Sequence, residues 1–341
     1  MKHATTPVFD MLHSLDFFTD LRTALGRVGL AGEEGFGVGV YFVAASRFFQ
    51  NPLRICIQEQ TDGGANYVVR RVAKLLQPGS FVELPSDSVE AWNGFTKKPA
   101  QKVVYLPDGD GACGRENSIR FELAQNQISR VVPVTRDGRV VEKGEEVEAA
   151  FACISTDHRD WRRDSSRWLT MLLDKPPQQN GPKAKAFFGH ANPLSEERTV
   201  HWHGLQDLIQ ERAQRGIVLP EWADLVVEET CKDERAARHL SAFLQAWKTM
   251  CLLRSLRLSE KEITRRGGLH ADFTDFAAAG SLLRKLFREG HCYPPTRNIF
   301  NKVSAVGEDV GFIHPITGKG IQFRHRSKPV RWRPLLVFEE D

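Results

Sequence analysis

The chain has 341 residues, a net charge of +4, 41% hydrophobic and 26% charged residues. Those values fit a globular protein of two or three domains and exclude collagen-like, fibrous and wholly disordered chains. No run approaches the roughly 20 apolar residues that cross a bilayer, so no membrane partner is expected.

The opening residues, MKHATTPVFDMLHSLDFF, lack a basic stretch leading into an apolar one, so a cytoplasmic location is expected. The cysteines, Cys56, Cys113, Cys153, Cys231, Cys251 and Cys292, are widely spaced and form no CxxC pair. That pattern predicts free thiols in a reducing compartment rather than a disulfide framework or zinc ribbon.

From Phe9 to Leu30, apolar residues recur three and four apart (Leu12, Leu15, Phe18, Leu21, Leu25, Val28), predicting one or two amphipathic helices. Gly35-Phe36-Gly37-Val38-Gly39 has no strand before it, so it reads as a flexible lead-in to a helix rather than a dinucleotide loop. YFVAASRFF then predicts a second helix, LRICIQEQ a buried strand, TDGG a turn and NYVVRRVAKLL a helix. QKVVYLPDGDG predicts the next strand and IRFELAQNQI a helix. SRVVPVTRDGRVVEKGEEVEAA predicts a β-hairpin turning at Arg-Asp-Gly-Arg. AFACIST and RWLTMLLD are two more strands. The alternation between Leu53 and Asp174 predicts a three-layer α/β domain.

DKPPQQNGPKAKA has a linker composition, and a helical region follows from Thr199 to Ser259. Beyond Lys261 come the helix DFAAAGSLLRKLF and two short strands, VGFIHP and GIQFRHR, around ITGKG. Helices followed by a hairpin predict a winged helix.

The strand, turn and helix at Leu53–Leu76 is where a phosphate loop would lie. Such a loop needs G-x-x-x-x-G-K-[S/T], so that backbone N–H groups wrap the phosphates, lysine neutralises them and the hydroxyl holds magnesium. The eight matching positions run from Glu59 to Asn66, with Gly63-Gly64 in the turn. Glu59 replaces the first glycine, Ala65 the lysine and Asn66 the hydroxyl residue, while Glu59 and Asp62 add negative charge. At the end of Val103–Leu106, Pro107-Asp108 stands where an ATPase of this architecture has Asp-Glu. Pro107 cannot ligate a metal. Ser155-Thr156 ends the next strand, at the position of a polar γ-phosphate sensor, and Arg159, Arg162 and Arg163 follow.

From about Asp16 to Ser255 the chain resembles the AAA+ ATPase and helicase domains attached to primases of phages and mobile genetic elements, distant relatives of minichromosome maintenance helicases. The resemblance is carried by GLAGEE, VAASRFFQNPLRICIQ, YVVRRVAKLLQPGSFVEL, KVVYLPDGDGACGRENSIRFEL, SRVVPVTRDGRV, FACISTDHRDW and FLQAWKTMCLLRSL in that order. It implies an α/β fold with an AAA+-like three-layer P-loop core at 51–175. A helical lid-like region would follow at 199–260, while the periodicity, composition and element order described above give helices at 1–50, a linker at 176–198 and a basic winged-helix-like domain at 261–341. The degenerate nucleotide positions would be Gly63, Gly64, Asn66, Asp108 and Thr156, and Arg159, Arg162 and Arg163 would be subunit-contact arginines. The resemblance also implies a homo-oligomer or a hetero-oligomer with an active ATPase.

The chemistry departs from that pattern where hydrolysis is done. Losing the loop lysine removes a charge-assisted contact worth about 1.5–3 kcal/mol. Losing magnesium coordination removes the main neutraliser in phosphoryl transfer. A non-catalytic protein with no cofactor is expected. The alternative, a divergent DNA-dependent ATPase, would need Arg70 or Arg71 to replace the lysine.

Between Arg265 and Arg333 there are 13 Lys/Arg and 5 Asp/Glu, so the basic excess is concentrated at this end. Phosphate neutralisation makes double-stranded or forked DNA the expected partner, through Arg284, Lys285, Arg297, Lys302, Lys319, Arg324 and Arg326. The competing reading is an adaptor whose basic tail binds an acidic protein. His201-Trp202-His203 lacks a completing Cys or carboxylate at metal spacing, so no metal site is expected.

Overall fold

The computed structural model describes residues 17–30, 32–59, 64–84, 101–107, 127–136, 139–148, 151–157, 168–173, 196–288, 293, 298–299, 302–303, 310–313, 315 and 319–323. Its centre is a five-stranded sheet built from β1 (Arg54–Glu59), β2 (Phe81–Glu83), β3 (Val103–Leu106), β6 (Ala152–Asp157) and β7 (Leu169–Leu173). The order across the sheet is β2-β3-β6-β1-β7, and every pairing is parallel. Between β3 and β6 the chain forms an antiparallel ribbon, β4 (Gln127–Arg136) and β5 (Arg139–Glu148).

These strands read as apolar runs because the sheet is buried on both faces. Ile55, Ile57, Val103, Tyr105, Ala152, Ile154, Leu169 and Met171 share the main core with the helices. Cys56, Val104, Leu106 and Cys153 lie on the other face with Phe151 and Trp168. A mixed α/β protein with a parallel sheet is what the alternation predicts.

The helices before β1 are α1 (Phe17–Arg27) and α2 (Glu34–Ala45). All of α2 from Phe36 to Ala45 is buried, as a helix apolar on every side must be. The expectation of a flexible lead-in at Gly35–Gly39 is therefore corrected: these residues are helix interior, and two of the glycines are packing positions. A Cβ on Gly37 would lie 2.8 Å from Leu30 Cδ1, and one on Gly39 would lie 2.8 Å from Met171 Cε and collide with Leu286.

After β1 comes α3 (Ala65–Ala73), which packs beside α2. β2 is not expected from sequence, since three residues are too few to show a strand period. Gln127 and Ile128, expected to end a helix, open β4 instead. The rest of that expected helix lies outside the described residues.

Past β7 lie α4 (Glu196–Gln214), α5 (Ala223–Thr230), α6 (Glu234–Arg238), α7 (Leu240–Ser255), α8 (Glu260–Arg265) and α9 (Phe273–Leu286). Two-residue strands β8 (Ile217–Val218) and β9 (Leu269–His270), not expected from sequence, pair parallel between them. Trp247 is fully buried, 4.9 Å from Trp222 and 5.2 Å from Phe276 between ring centroids. Phe276, Leu282, Leu283 and Phe287 belong to the same core as the sheet, and Phe287 forms an antiparallel bridge to Met171 on β7.

A buried polar network ties α2 to α4. Arg47, in the short 3-10 turn after α2, is 1% exposed. It donates to Ala44 O at 3.0 Å and to Gln206 Oε1 at 2.8 Å, and its guanidinium lies 4.1 Å from the Phe48 ring centroid. Gln206 Nε2 in turn donates to the Tyr41 hydroxyl at 2.5 Å. Burial brings Arg47 down to about 10, offset in part by the neighbouring Tyr41.

The expected C-terminal hairpin is present as β10 (Val310–Ile313) and β11 (Gly320–Phe323), antiparallel with Val310 opposite Phe323. A winged-helix arrangement of α9 with this hairpin is not shown.

Candidate functional site

In an open parallel sheet, ligands bind beyond the carboxyl ends of strands where neighbouring strands lead in opposite directions. Here that point lies between β1 and β6. The chain leaves β1 through α3 toward β2 at one edge, and leaves β6 toward β7 at the other. The carboxyl ends of β1, β3 and β6 and the first turn of α3 therefore converge on one place, where the sequence puts its degenerate nucleotide positions.

Gly64 stands at the N-cap of α3, with no side-chain cap bond, and is buried. Ala65, at the lysine position, is fully buried. Asn66, at the hydroxyl position, is half-buried and its side-chain oxygen accepts the phenolic proton of Tyr105 from β3. Thr156, at the sensor position on β6, is fully buried with its Oγ1 3.5 Å from the Tyr105 oxygen. A phenol has one proton to give. With that proton on Asn66, the Tyr105 oxygen is left to accept from Thr156.

The register explains why these three meet. Tyr105 pairs with Ile154 and Thr156 with Ile57, so Tyr105 and Thr156 lie on the helix-facing side, two residues apart in register. Tyr105 is itself fully buried, and its ring stacks on Phe81 at 5.9 Å with an interplanar angle of 29°. From sequence, Tyr105 is legible only as part of a strand. The signal was there in a tyrosine one position before the end of a strand that leads into Pro-Asp.

The arginines weighed as substitutes for the lysine have other partners. Arg70 grips Glu83 at the end of β2, Nη2 to Oε1 at 2.8 Å and Nε to Oε2 at 3.3 Å. That hydrogen bonding and the carboxylate charge raise the Arg70 pKa above its usual value. Arg71 lies 4.9 Å over the ring of Tyr67, whose hydroxyl donates to Gly29 O at 2.8 Å. Gly63, Asp108, Arg159, Arg162 and Arg163 lie outside the described residues.

Of the basic C-terminal residues, Arg284 (half-buried) and Lys285 (exposed) sit in the last turn of α9, and Lys319 is exposed just before β11. Lys302 donates to Glu229 Oε1 on α5 at 2.6 Å, a carboxylate that also accepts from Lys232 at 2.5 Å. Hydrogen bonds from Lys232 and then Lys302 hold Glu229 below the ordinary carboxylate range. Arg297, Arg324 and Arg326 lie outside the described residues. His203, on α4, has its Nε2 3.1 Å from Lys74 O, and Trp202 is buried. Among the described residues no helix is long and apolar enough to cross a membrane.

No family model and no curated protein sequence matches the chain. Among solved structures, it is similar to one from Cytophaga hutchinsonii described as a "putative ATPase". The two are 10% identical, over 88% of this chain and 96% of that one, with a TM-score of 0.46.

Proposed function

We propose that this is an AAA+-like protein that does not hydrolyse ATP and that works by binding DNA. The observation that carries the first half is the Tyr105 phenol set between Asn66 and Thr156. Those two side chains stand at the positions that would hold magnesium and read the γ-phosphate, and here they are joined through a buried ring. A nucleotide would have to break both contacts and would find buried Ala65 where the compensating cation belongs. Arg70 could replace that cation only by giving up Glu83.

The concentration of basic residues beyond Arg265 supports the second half, since counterion release from phosphates drives such binding. Double-stranded or forked DNA is the proposed ligand, with Arg284, Lys285 and Lys319 among its contacts. Assembly with further copies, or with an active ATPase, and a role in the replication or defence systems of mobile elements follow from the resemblance alone.

The test is ATP turnover by the full chain, with and without single- and double-stranded DNA, beside Asp108→Asn. No turnover in any condition is expected. Turnover that disappears in Asp108→Asn would make the protein an unusual motor instead. DNA binding is read separately by fluorescence anisotropy across a salt series. Affinity should fall steeply with salt and weaken in a Lys285→Glu, Lys319→Glu variant; no binding at low salt leaves the adaptor.

A further inference from the structure

β4 and β5 form a two-stranded sheet of their own, separate from the five-stranded one. Ten residue pairs run from Gln127 opposite Glu148 to Arg136 opposite Arg139, and its length is roughly 34 Å at the rise of an antiparallel strand. Among the described elements, its extensive packing is between its own two strands.

Side chains alternate across a pleated ribbon, so the register sorts its residues onto two faces. Arg130, Arg136, Arg139 and Lys143 share one face with a single acid, Glu145. Glu142, Glu146 and Glu148 share the other, which carries no basic residue. By register, the basic excess falls on one face and the acidic excess on the other. Arg136 and Arg139 are direct cross-strand partners, and like charges placed opposite each other are destabilising. In register, Glu142, Glu146 and Glu148 of β5 pair with Pro133, Ser129 and Gln127 of β4, none of which is a basic residue.

We propose that this ribbon is a contact element between copies of the chain, the basic face of one ribbon meeting the acidic face of the next. DNA would account for the basic face and leave the acidic row unexplained, whereas a second copy accounts for both. Two different faces of one element make a heterologous contact, which propagates head to tail and closes into a ring where the rotation allows. The inference deepens the assembly part of the proposed function. It stands or falls independently of whether ATP is hydrolysed.

The experiment is sedimentation velocity of the full chain, without nucleic acid, at about 0.1 M and about 1 M salt, a range over which exposed charge pairs are progressively screened. Self-association at low salt that is lost at high salt is expected. Glu142→Lys, Glu146→Lys, Glu148→Lys makes both faces basic, and Arg136→Glu, Arg139→Glu, Lys143→Glu makes both acidic. Each triple variant alone should associate at least tenfold more weakly, and an equimolar mixture should regain association. Circular dichroism and melting confirm that each is folded. If one fails that check, the milder Glu142→Gln, Glu146→Gln, Glu148→Gln variant replaces it and should weaken association alone. A wild-type chain that stays monomeric at low salt, folded triple variants that associate unchanged, a mixture that does not recover, or association that requires added DNA would each overturn the proposal.

Discussion

Tyr105 on β3 gives its phenolic proton to Asn66 on α3, fastening a central strand to the first turn of the helix that follows β1. The bond crosses the place where this topology would admit a ligand. Its removal in Tyr105→Phe leaves the half-buried Asn66 oxygen without that donor. A loss of about 1–2 kcal/mol in urea unfolding is expected, with no gain of ATP turnover. A variant as stable as wild type would mean that the bond contributes little to holding the site closed.

Gly39 gives a test in which two principles predict opposite signs. Alanine is the better helix former by about 1 kcal/mol, so Gly39→Ala would stabilise an exposed helix. Here the new methyl would meet Met171 and Leu286, and overpacking of that kind costs about 1–3 kcal/mol. Thermal melting of Gly39→Ala should show a lowered Tm; a raised one would show that the contact relaxes freely.

The Arg47 network separates the loss of a partner from the loss of a charge. Gln206→Leu removes the partner of Arg47 Nη2 and the donor to the Tyr41 hydroxyl together, at about 2–4 kcal/mol. Arg47→Met removes the desolvated cation itself and should cost less. Denaturant midpoints of the two variants decide it, and the reverse ranking would contradict the account.

Asp275 gives a pH dependence. It caps α9 reciprocally with Asp272, accepts from Arg254 Nη1 at 2.7 Å and is 4% exposed. Burial, and then the charge of Asp272, raise its pKa to about 6, against the opposing pull of Arg254. Cys251 lies close enough for its own thiol to be pushed up, chiefly by burial. The folded chain therefore holds this proton more tightly than the unfolded chain does. Its contribution, at most about 3 kcal/mol, is present at low pH and is lost as pH rises from about 4 through about 6. Asp275→Asn should flatten that part of the curve of Tm against pH relative to wild type. An unchanged curve would assign the titration elsewhere.

The sequence makes the long strands legible and hides the contacts between them. LRICIQ, VVYL, AFACIST and LTMLL stand out because parallel strands buried on both faces become apolar runs, and the ribbon stands out because Asp-Gly marks its turn. β2 merges with the helix pattern before it. The glycines of α2 mislead because a helix buried all round has no polar face to set its period. The Tyr105 bond joins residues 39 apart, and a role that depends on such a partner leaves no local mark. An apolar stripe on α9 shows that the helix packs, but not that its partners include α7 and the edge of the sheet.

The bridge from Phe287 to Met171 bears on how the protein is made. β7 is an edge strand, and an uncovered edge is a template for pairing with other chains. During synthesis that edge waits, exposed, until more than a hundred further residues have left the ribosome. A chain stopped after Ser259 would retain the open edge and lose Phe276, Leu282 and Leu283 from its core. Point substitutions, not truncation, are therefore the way to map the work of its basic end.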